Sequence, residues 1–332
     1  MTMIKRVLLT GGAGFVGHHF CEHFLKNTDY ELVVLDKLTY ASNWDRLRDI
    51  KAFDEKRVKC LAADFSQEIL GGLEDEIGKI DLILHMGAET HVDHSISNPL
   101  SFVETNVIGT HWILEFAKKI GAHFMYFSTD EVFGPAPPGV AYKETDAHHP
   151  GNPYAATKSA GEMLVMAYSN TYKIPFTITR CMNIFGERQH PEKFIPLVLK
   201  KVIKGDRVII HSNPSRDKAG SRFYIHARNV AAAYQHLINR VAAGETNEVY
   251  HIVGEREVDN LTLAEMIAKI VGKPLFYDFV DFHSSRPGHD LRYALDGKKL
   301  ELAGWKPSLS MEASLEKTIN WFMNNPKWLE VK

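Results

Sequence analysis

The chain has 332 residues, of which 45% are hydrophobic and 24% are charged, and its formal net charge at pH 7 is −2. These values are typical of a globular protein with one large domain and a smaller one. The balanced charge, the lack of a Lys and Arg run, and the lack of an apolar stretch as long as a membrane span argue against nucleic-acid or membrane partners.

Short apolar runs of strand length alternate with longer amphipathic segments through the first half of the chain. The predicted strands are residues 6–10, 31–36, 58–62, 82–85, 123–128 and 176–180. The predicted helices between them are residues 17–27, 99–120 and 154–172. This alternation predicts an α/β fold in which helices cover both faces of a Rossmann-type, doubly wound parallel sheet.

The pattern becomes looser after Arg180. Loops are expected around residues 186–193 and 211–221, and helices over residues 261–271 and 311–324. We therefore predict two domains: residues 1–180 hold the large sheet, and residues 181–332 form a smaller mixed α/β lobe. Some elements of the smaller lobe are expected to return to the first sheet.

Three cysteines, Cys21, Cys60 and Cys181, are widely separated and have no CxxC spacing. An odd number of scattered cysteines is typical of reduced thiols in a cytoplasmic protein. The sequence therefore predicts a cytoplasmic location.

A glycine-rich segment follows the first predicted strand directly and opens a helix. Its glycines are Gly11, Gly12, Gly14 and Gly17. Glycines at these positions let the backbone turn sharply and approach a pyrophosphate, whose charge then lies at the N-terminus of the next helix. The strand before the segment and the helix after it give the motif the context that a dinucleotide site requires.

Two acidic residues at strand ends complete the expected dinucleotide site. Asp36 ends the second predicted strand about 20 residues beyond the glycines, where a carboxylate accepts a hydrogen bond from a ribose 2′-hydroxyl. This favours NAD over NADP, although Lys37 beside it softens the discrimination. Asp64 ends the third predicted strand, and its carboxylate is expected to hold the adenine amino group while Phe65 flanks the ring.

Residues suited to acid–base chemistry lie near this site. Tyr154 and Lys158 are one helical turn apart on the same face of a predicted helix. The ammonium is expected to favour the phenolate and so to lower the pKa of Tyr154 toward the working range of a general base. Thr129, Asp130 and Glu131 stand upstream, at the carboxyl end of a predicted strand, where open α/β sheets bind ligands.

The glycine segment, Asp36, Thr129 and the Tyr154-x-x-x-Lys158 pair together resemble the extended short-chain dehydrogenase/reductase superfamily. Within it, residues 128–134, which read STDEVFG, look like the dTDP-glucose 4,6-dehydratase group. Further matching segments extend the resemblance from around Ile4 to Pro307: residues 36–40, 88–93, 104–106, 180–183, 190–196 and 286–290.

The resemblance implies NAD as the cofactor, a nucleotide-diphosphate sugar as the substrate, and roles for five catalytic residues. Tyr154 takes the proton of the sugar 4-hydroxyl, Thr129 hydrogen-bonds to that oxygen, and Lys158 holds the nicotinamide ribose. Glu131 then removes the C5 proton, while Asp130, kept protonated, donates to the departing 6-hydroxyl. Two adjacent carboxyl groups in different protonation states are favoured by the repulsion between close like charges. The implied product is a 4-keto-6-deoxy sugar.

The resemblance also implies two sets of binding residues and a homodimer, because helices of this superfamily pack between subunits. The cofactor-binding set is Gly11, Gly14, Phe15, Val16, Gly17, Asp36, Lys37, Thr39, Asp64, Phe65, Met86, Ala88, Thr105, Tyr154 and Lys158. The substrate-binding set is Glu89, Thr129, Asn183, Lys193, Arg222, Asn260 and His289. Arg222 is expected to clamp phosphate with two parallel hydrogen bonds.

The sequence departs from the usual pattern of the group at Arg222. Where the group has Arg-Asp-Trp-x-Tyr-Val-x-Asp, residues 222–229 read RFYIHARN, and the preceding loop is longer and carries Arg216, Asp217 and Lys218. These changes flank the expected nucleotide pocket. Therefore dTDP-glucose is the first candidate substrate, and UDP-linked, GDP-linked and N-acetylated sugars remain open.

Two alternatives to the dehydratase also remain open. An epimerase or decarboxylase of the same superfamily is disfavoured by Asp130 and Glu131, because such relatives usually lack the paired acids. A catalytically silent NAD-binding module is disfavoured because it has no need to keep Thr129, Tyr154 and Lys158 together.

Histidines and acids also cluster at His85, Glu89, His91, Asp93 and His94. His91 and His94 need a helix to share a face, whereas a loop is expected after the strand at this place. We therefore predict no metal site and interpret the cluster as a polar wall of the sugar site.

Overall fold

The computed structural model describes residues 3–282 and 291–330 of the chain. The strands are β1 Arg6–Thr10, β2 Glu31–Asp36, β3 Val58–Ala62, β4 Leu82–His85, β5 His123–Thr129, β6 Phe176–Cys181, β7 Ile184–Phe185, β8 Val208–Ser212, β9 Ser221–Phe223, β10 Ile225–His226, β11 Glu248–Ile252, β12 Glu257–Asp259 and β13 Tyr277–Asp281. A seven-stranded parallel sheet in the order β11-β6-β5-β4-β1-β2-β3 forms the centre of the molecule. The predicted doubly wound α/β fold is confirmed.

Helices cover both faces of this sheet. They are α1 Phe15–Asn27, α2 Asp45–Arg48, α3 Gly71–Ile77, α4 Val92–Ser97, α5 Pro99–Phe102, α6 Gly109–Ile120, α7 Pro153–Tyr172, α8 Phe194–Lys204, α9 Ala227–Ala242, α10 Asn260–Val271, α11 Lys298–Leu302 and α12 Met311–Asn324, with a π-helix at Val103–Ile108 and 3₁₀-helices at Asp130–Phe133 and Pro326–Leu329. Because Leu8 packs in one apolar cluster and Val7 and Leu9 in another, β1 is buried on both faces and reads as a continuous apolar run.

The single helix predicted over residues 99–120 is wrong in its middle, because the π-helix Val103–Ile108 separates α5 from α6. A π turn adds a residue to the helical ladder. Asn106 in this turn donates to the carbonyl of Glu89 at 3.1 Å and accepts from the amide of Glu89 at 2.8 Å. It also donates to Thr157 Oγ1 at 3.0 Å. Hydrophobic periodicity indicates a helix here, but it carries no information about such side-chain bonds.

Several predicted boundaries shift by a few residues. Helix α1 begins at Phe15, and strands β5 and β6 continue to Thr129 and Cys181. The predicted loop over residues 211–221 contains the end of β8 and the start of β9. A helix, α4, follows His91, where a loop was expected.

The smaller lobe has its own apolar core between α8, α10 and α12. Val198, Leu263 and Leu315 are fully buried in it. The lobe contains three two-stranded sheets, of which β7–β10 and β8–β13 are parallel and β9–β12 is antiparallel. Strand β11 lies beside β6 in the large sheet, and α9 packs on α1 through Tyr234 and Phe20, whose ring centroids are 4.8 Å apart.

The strand order reverses between β1 and β4, which leaves a crevice at their carboxyl ends. Thr10 Oγ1, at the end of β1, accepts hydrogen bonds from the amides of Met86 and Gly87 at 3.1 and 3.0 Å. A Cβ placed on Gly11 would lie 2.8 Å from the Cα of Gly87. The loops after the two strands are therefore held tightly together at the crevice.

Within residues 3–282 and 291–330, every helix is too short or too polar to cross a membrane. Cys21 and Cys181 are buried, Cys60 is exposed, and all three are free thiols. Burial raises the pKa of Cys60 to about 11, so this thiol stays protonated at neutral pH.

Candidate active site

The glycine segment forms a close-packed cradle at the N-terminus of α1. Gly11 has a φ of +74°, and its carbonyl accepts from the amide of Gly14 at 3.1 Å. A Cβ on Gly17 would lie 2.3 Å from the carbonyl oxygen of Gly11, so a larger residue at position 17 would push the helix away from the strand. The first turn of α1 carries no acidic residue. Its free amides and positive dipole end therefore suit an anionic pyrophosphate.

Asp36 is held as a buried carboxylate at the end of β2. Its Oδ2 accepts from the amide of Ala13 at 2.9 Å, and its Oδ1 accepts from the amide of Leu38 at 2.9 Å. Both oxygens are fixed by backbone donors, and Asp36 lines the cleft beside the glycine cradle. A carboxylate fixed in this way accepts from a ribose hydroxyl but repels a 2′-phosphate.

Asp64 and Lys37, for which the sequence predicted separate roles, form an ion pair. The ammonium of Lys37 lies 2.9 Å from Asp64 Oδ2. Lys37 lines the cleft, and so does Phe65, whose buried ring supports the close approach of Gly87. The contact of Asp64 with adenine stays a prediction. The pairing reduces the positive charge that Lys37 presents to the cleft.

A single cleft collects most of the predicted cofactor residues. It is lined by Gly11, Gly14, Phe15, Val16, Gly17, Asp36, Lys37, Thr39, Phe65, Met86, Ala88, Thr105, Tyr154 and Lys158, together with Glu89 and Lys193 of the predicted substrate set. The same cleft is lined by Ala41, Ser42, Gly87, Thr90, Phe127, Gln189 and His190, which the sequence did not single out. Most of these missed residues lie in loops that follow β2, β4 and β7, so their position after strand ends is the signal that would have found them.

The 3₁₀-helix Asp130–Phe133, which we call the catalytic turn, directly follows β5. Thr129 Oγ1 donates to Asp130 Oδ1 at 3.0 Å and accepts from the amide of Glu131 at 3.3 Å. Asn152 donates through Nδ2 to Glu131 Oε2 at 3.0 Å, and its Oδ1 accepts from Ala155 as the N-cap of α7. Sequence reasoning missed Asn152, although an Asn before the Pro at a helix start is a capping signal.

Asp130 is the buried acid of the site. Burial, together with the negative charge of Glu131, raises its pKa from 3.8 to about 7. Its Oδ2 has no hydrogen-bond partner within the described part of the chain. A buried carboxyl oxygen without a donor is costly when charged, so Asp130 keeps its proton up to a pH of about 7 and is able to donate it.

The expectation that Lys158 lowers the pKa of Tyr154 is wrong for this structure. Burial raises the pKa of Tyr154 well above its ordinary value, and the charges of Glu131 and Asp130 add to this, whereas a hydrogen bond from Thr129 opposes it. The ammonium of Lys158 lies over the ring of Tyr126, 4.2 Å from the centroid. Burial lowers the pKa of Lys158 to about 7. Helical spacing placed the two groups on one face but could not give the desolvation that dominates both pKa values.

The predicted substrate residues lie around the catalytic turn and in the smaller lobe. Arg222 donates to the carbonyls of Ser221 and Leu291, both at 2.7 Å, and its charge lowers the pKa of Asp130 against the effect of burial. Asn260 Oδ1, at the start of α10, accepts from the hydroxyl of Tyr224 at 2.8 Å. Arg222 is thus oriented by carbonyls of its own lobe.

The remaining substrate residues are more dispersed. Glu89 and Lys193 line the cofactor cleft, Lys193 as the residue before α8. Asn183 is exposed, and its carbonyl accepts from the amide of Ile225 at 3.0 Å. His289 lies outside the described residues.

His91 and His94 do share a side of α4, contrary to the expected loop, because their rings stack with centroids 4.2 Å apart. Within residues 3–282 and 291–330, no group of three His, Cys, Asp or Glu side chains has the arrangement of a metal site. The carboxylate of Glu192 lies 3.7 Å from His91 Nε2. The two rings therefore form part of the polar surface beside the cleft.

Comparison with known proteins identifies the family. The model of the NAD dependent epimerase/dehydratase family matches residues 7–253. The dTDP-glucose 4,6-dehydratase 1 of Escherichia coli K12 is 35% identical over 98% of this chain and 94% of its own. The trifunctional UDP-glucose 4,6-dehydratase, 3,5-epimerase and reductase of Arabidopsis thaliana is 36% identical over 98% of this chain and 48% of its own.

A solved structure shows the same similarity in three dimensions. The dTDP-glucose 4,6-dehydratase DesIV of Streptomyces venezuelae, with NAD and TYD bound, superposes with a TM-score of 0.89. Its sequence is 36% identical to this one, and the superposition covers 98% of this chain and 100% of the DesIV chain. The family match spans the glycine cradle, the catalytic turn and α7, and the chain therefore belongs to the NAD dependent epimerase/dehydratase family.

Proposed function

We propose that this protein is an NAD-dependent nucleotide-sugar 4,6-dehydratase, a hydro-lyase that converts a nucleotide-diphosphate hexose into its 4-keto-6-deoxy product. The observation that carries the proposal is Asp130, a buried acid protonated near neutral pH, directly beside the base Glu131 and one residue from Thr129. Tyr154 lines the dinucleotide cleft, and the charges of Asp130 and Glu131 act on its hydroxyl. Dehydration needs all three, whereas epimerisation at C4 needs no proton donor for a leaving hydroxyl.

The cleft fits NAD. The glycine cradle leaves no space for a Cβ at position 17, and the Asp36 carboxylate is fixed where a ribose hydroxyl would bind. When bound, NAD supplies hydride chemistry, removing hydride from C4 of the sugar and returning it to C6. The chain itself binds and orients the reactants and moves the protons.

Proton removal from the 4-hydroxyl falls to Tyr154. Burial and the neighbouring carboxylates oppose its ionisation, while a hydrogen bond with Thr129 favours it once the Thr129 hydroxyl turns from Asp130 Oδ1 to the phenolate. When Asp130 carries its proton, one of the two opposing negative charges disappears. Protonation of Asp130 therefore assists Tyr154 as well as preparing the later step.

Water elimination falls to the catalytic turn. Once C4 is a ketone, the hydrogen at C5 is acidic, and Glu131 removes it as a proton. The electron pair of the former C5–H bond then forms the C5–C6 double bond. The C6–O bond breaks, and Asp130 donates its proton to the departing hydroxyl, which leaves as water. When C6 has regained a hydride, the protonated Glu131 gives a proton back to C5, which completes the 4-keto-6-deoxy sugar. Asn152 orients the base through its bond to Glu131 Oε2, and Thr129 orients the acid.

A mass-spectrometric screen of the purified protein tests this proposal. The substrates are dTDP-glucose, UDP-glucose, UDP-N-acetylglucosamine and GDP-linked hexoses, with a UDP-linked uronic acid as a control for decarboxylation. We expect one of the hexoses to lose one water without net reduction of NAD, and the Asp130→Asn/Glu131→Gln variant to lose this activity.

Other outcomes would point elsewhere. An isomer of unchanged mass, or loss of carbon dioxide from the uronic acid, would assign the chain to the epimerases or decarboxylases. Binding of NAD and a nucleotide sugar without any chemical change would indicate a silent binding module.

We propose dTDP-glucose as the first substrate to test. The Escherichia coli and Streptomyces venezuelae relatives act on it, and their similarity covers nearly the whole of this chain. The relative from Arabidopsis thaliana acts on UDP-glucose, and it is about equally similar. The screen compares the two nucleotides, which differ in the methyl group of the base and in the 2′-hydroxyl of the pentose, with the glucose held the same.

We also propose that the chain forms a homodimer through the helices beside α7. Leu100 of α5, Val103 and Ile108 of the π-helix and Met163 of α7 are between 41% and 63% exposed, and these elements contact one another. Neighbouring exposed apolar side chains of this kind mark protein interfaces.

Light scattering should give twice the chain mass, and Leu100→Glu/Val103→Glu should give the monomer. The control is Leu302→Glu, because Leu302 is 88% exposed on α11.

The division of labour between residues 1–180 and 181–332, and the cytoplasmic location, are likewise proposals. The glycine cradle, the catalytic turn and α7 lie in the first part, and Arg222 and Asn260 lie in the second. The three free thiols support a reducing compartment. Cell fractionation with an antibody against the chain would test the location.

A further inference from the structure

One segment of the chain touches both parts of the proposed dehydratase site. In residues 291–297, the carbonyl of Leu291 accepts from the amide of Ser221 in β9 at 2.8 Å. The carbonyl of Arg292 accepts from the amide of Ala136, in the loop after the catalytic turn, at 3.0 Å. The segment thus joins β9, which contains Arg222, to the loop that follows Asp130 and Glu131 in the chain.

The side chain of Arg292 reaches into the loop after the catalytic turn. Its Nη1 donates to the carbonyls of Ala136, Pro137 and Val140 at 3.3, 2.7 and 2.7 Å. Hydrogen bonds from a charged donor are roughly twice as strong as neutral ones. This one nitrogen therefore anchors a loop that has no regular structure of its own.

The opposite edge of the same guanidinium binds Glu257 of β12. Nε and Nη2 donate to Oε1 and Oε2 of Glu257 at 2.8 and 3.0 Å, and Glu257 Oε1 also accepts from Ser221 Oγ. Burial raises the pKa of Glu257, but the bonds from Arg292 and Ser221 outweigh it and hold the pKa below its ordinary value. Because β12 pairs with β9, this contact fixes the strand of Arg222.

The ring of Tyr293 also connects Arg222 to the catalytic turn. The guanidinium of Arg222 lies over the ring of Tyr293, 4.7 Å from the centroid. Tyr293 in turn packs in one buried cluster with Val132 and Phe133 of the catalytic turn. A shift of either lobe relative to the other would therefore disturb both the turn and Arg222.

We propose that Arg292 is a positioning residue for dehydration, which holds the catalytic turn in register with the nucleotide-binding strand β9 by joining the 136–140 loop to Glu257. The proposal rests on the dehydratase function proposed above. Its reason is geometric: the hexose is tethered by its diphosphate to the smaller lobe, while the acid and base that act on C5 and C6 belong to the large sheet. A misplacement of about 1 Å between reacting groups lowers a rate by about 100-fold.

The variants are Arg292→Met, which removes every donor, and Arg292→Lys, which keeps the charge but not the fork of nitrogens. The matched control is Arg256→Met, because Arg256 forms an exposed ion pair with Glu312 in the same lobe. For each protein we would measure kcat and KM for the active nucleotide sugar, the Kd for dTDP (or UDP) by calorimetry, and the melting temperature. The unmodified chain is assayed alongside.

We expect Arg292→Met to lower kcat by about 100-fold. The Kd for the nucleoside diphosphate should change by less than about threefold, because β9 stays paired with β12 and Arg222 keeps its bonds to the carbonyls of Ser221 and Leu291. Arg292→Lys should recover part of kcat, and Arg256→Met should match the unmodified chain. The alkaline limb of kcat should also move to higher pH in Arg292→Met, because moving the positive charge of Arg222 away from Asp130 raises the pKa of that acid.

Two results would overturn the role of Arg292. One is an unchanged kcat in Arg292→Met. The other is a loss of kcat that only parallels a loss of nucleotide affinity and a lower melting temperature, with no recovery in Arg292→Lys, since this describes a structural role. Absence of dehydration by the unmodified chain would instead overturn the proposed function, and the positioning role with it.

Discussion

The cofactor cleft and the part of the smaller lobe around Arg222, which we call the nucleotide lobe after its proposed role, are built in different ways. In the cleft, the shape comes from the backbone of one continuous segment: Gly11 and Gly17 approach within contact distance, and Asp36 is held by two amides of nearby residues. In the nucleotide lobe, the shape comes from side chains that are far apart in sequence. Arg292 meets Glu257, and Arg222 meets the carbonyl of Leu291.

This difference determines what each region tolerates. A backbone cradle depends on the lack of side chains, so any added atom harms it, whereas the neighbouring residue types matter little. A side-chain network depends on particular donors and acceptors, so it can change its ligand by exchanging a few residues. The departure of residues 222–229 from the pattern of the dehydratase group falls in the second kind of region.

The largest effect is expected where the two regions meet, at Tyr154. Tyr154→Phe removes the proton acceptor for the 4-hydroxyl and should lower kcat by about 1000-fold. Binding of dTDP should stay unchanged, and NAD affinity should fall far less than kcat, because the ring of residue 154 still lines the cleft. Steady-state kinetics and calorimetry check this, with Tyr168→Phe as the control, because the Tyr168 hydroxyl binds Glu115 and His111 away from the cleft. An unchanged kcat in Tyr154→Phe would show that the Tyr154 hydroxyl takes no part in the reaction.

The next largest effect is expected from Gly17→Ala, which breaks the cofactor region alone. The added Cβ would lie 2.3 Å from Gly11 O, and backbone cannot yield as a flexible side chain does. We expect NAD affinity to fall by at least about 10-fold and the melting temperature to drop, consistent with an overpacking cost of about 1–3 kcal/mol.

Gly72→Ala is the matched control for this change. A Cβ on Gly72 would meet nothing within 4 Å, so helix propensity alone should keep or slightly raise stability. Normal NAD binding by Gly17→Ala would contradict a cradle without spare space.

The corresponding change in the nucleotide lobe is Arg222→Met. It removes the cation expected at the diphosphate, and we expect the Kd for dTDP to rise by about 10-fold, as for loss of a hydrogen bond to a charged group of about 1.5 kcal/mol. NAD affinity should not change, because Arg222 does not line the NAD cleft. Calorimetry with each ligand measures both. Equal loss of NAD and dTDP binding would show that the two regions are not separable.

A smaller effect is expected from Asp36→Asn, because the change keeps the size of the side chain. One of the amides of Ala13 and Leu38 would then face an NH2 group, and a buried donor without an acceptor costs about 1–3 kcal/mol. NAD affinity should fall, and the preference for NAD over NADP should narrow with the loss of the negative charge. A preference that does not change would assign the discrimination to another group, with Lys37 and Asp64 the first to test.

Another expected effect is a pH dependence of stability, which tests the site between the two regions. The folded-state pKa of Asp130 is raised to about 7 from an ordinary value of 3.8, so the folded protein holds a proton that the unfolded chain has released between these values. The stability contributed by Asp130 is fully present below pH 3.8 and is lost as the pH rises through about 7.

Denaturant titration of the unmodified chain and of Asp130→Asn, from pH 4 to pH 7, checks this contribution. The free energy of unfolding of the unmodified chain should fall relative to the variant as the pH rises. The pKa of Lys158 is lowered to about 7 from 10.5, so its contribution changes above pH 7 and does not interfere. Parallel curves for the two proteins would show that the pKa of Asp130 is not raised in the folded state.

Features of the cofactor cleft were easier to predict from the sequence than the side-chain contacts of the nucleotide lobe. The parallel sheet, the glycine cradle and Asp36 follow from local patterns, because strand periodicity and glycine spacing act within about 30 residues. The catalytic residues stay predictions from their spacing and the family resemblance, and the raised pKa of Asp130 agrees with the protonated acid that the resemblance implied.

What could not be predicted depends on contacts between distant segments or on burial. The π-helix depends on Asn106 meeting Glu89 and Thr157, and the orientation of Glu131 depends on Asn152. The pKa of Tyr154 moved in the opposite direction from the prediction because desolvation outweighs helical spacing. Arg292 gave no signal in sequence, since its partners lie 35 and more than 150 residues away.

The central claim is an internal dehydration, and one isotope experiment tests it most directly. The protein would be given the active nucleotide hexose carrying deuterium at C4, and the product would be examined by mass spectrometry and NMR. We predict that the product has lost one water and keeps the deuterium, now at C6, with a hydrogen from solvent at C5. Deuterium that remains at C4 of an isomer of unchanged mass, or that is lost to solvent, would contradict the account.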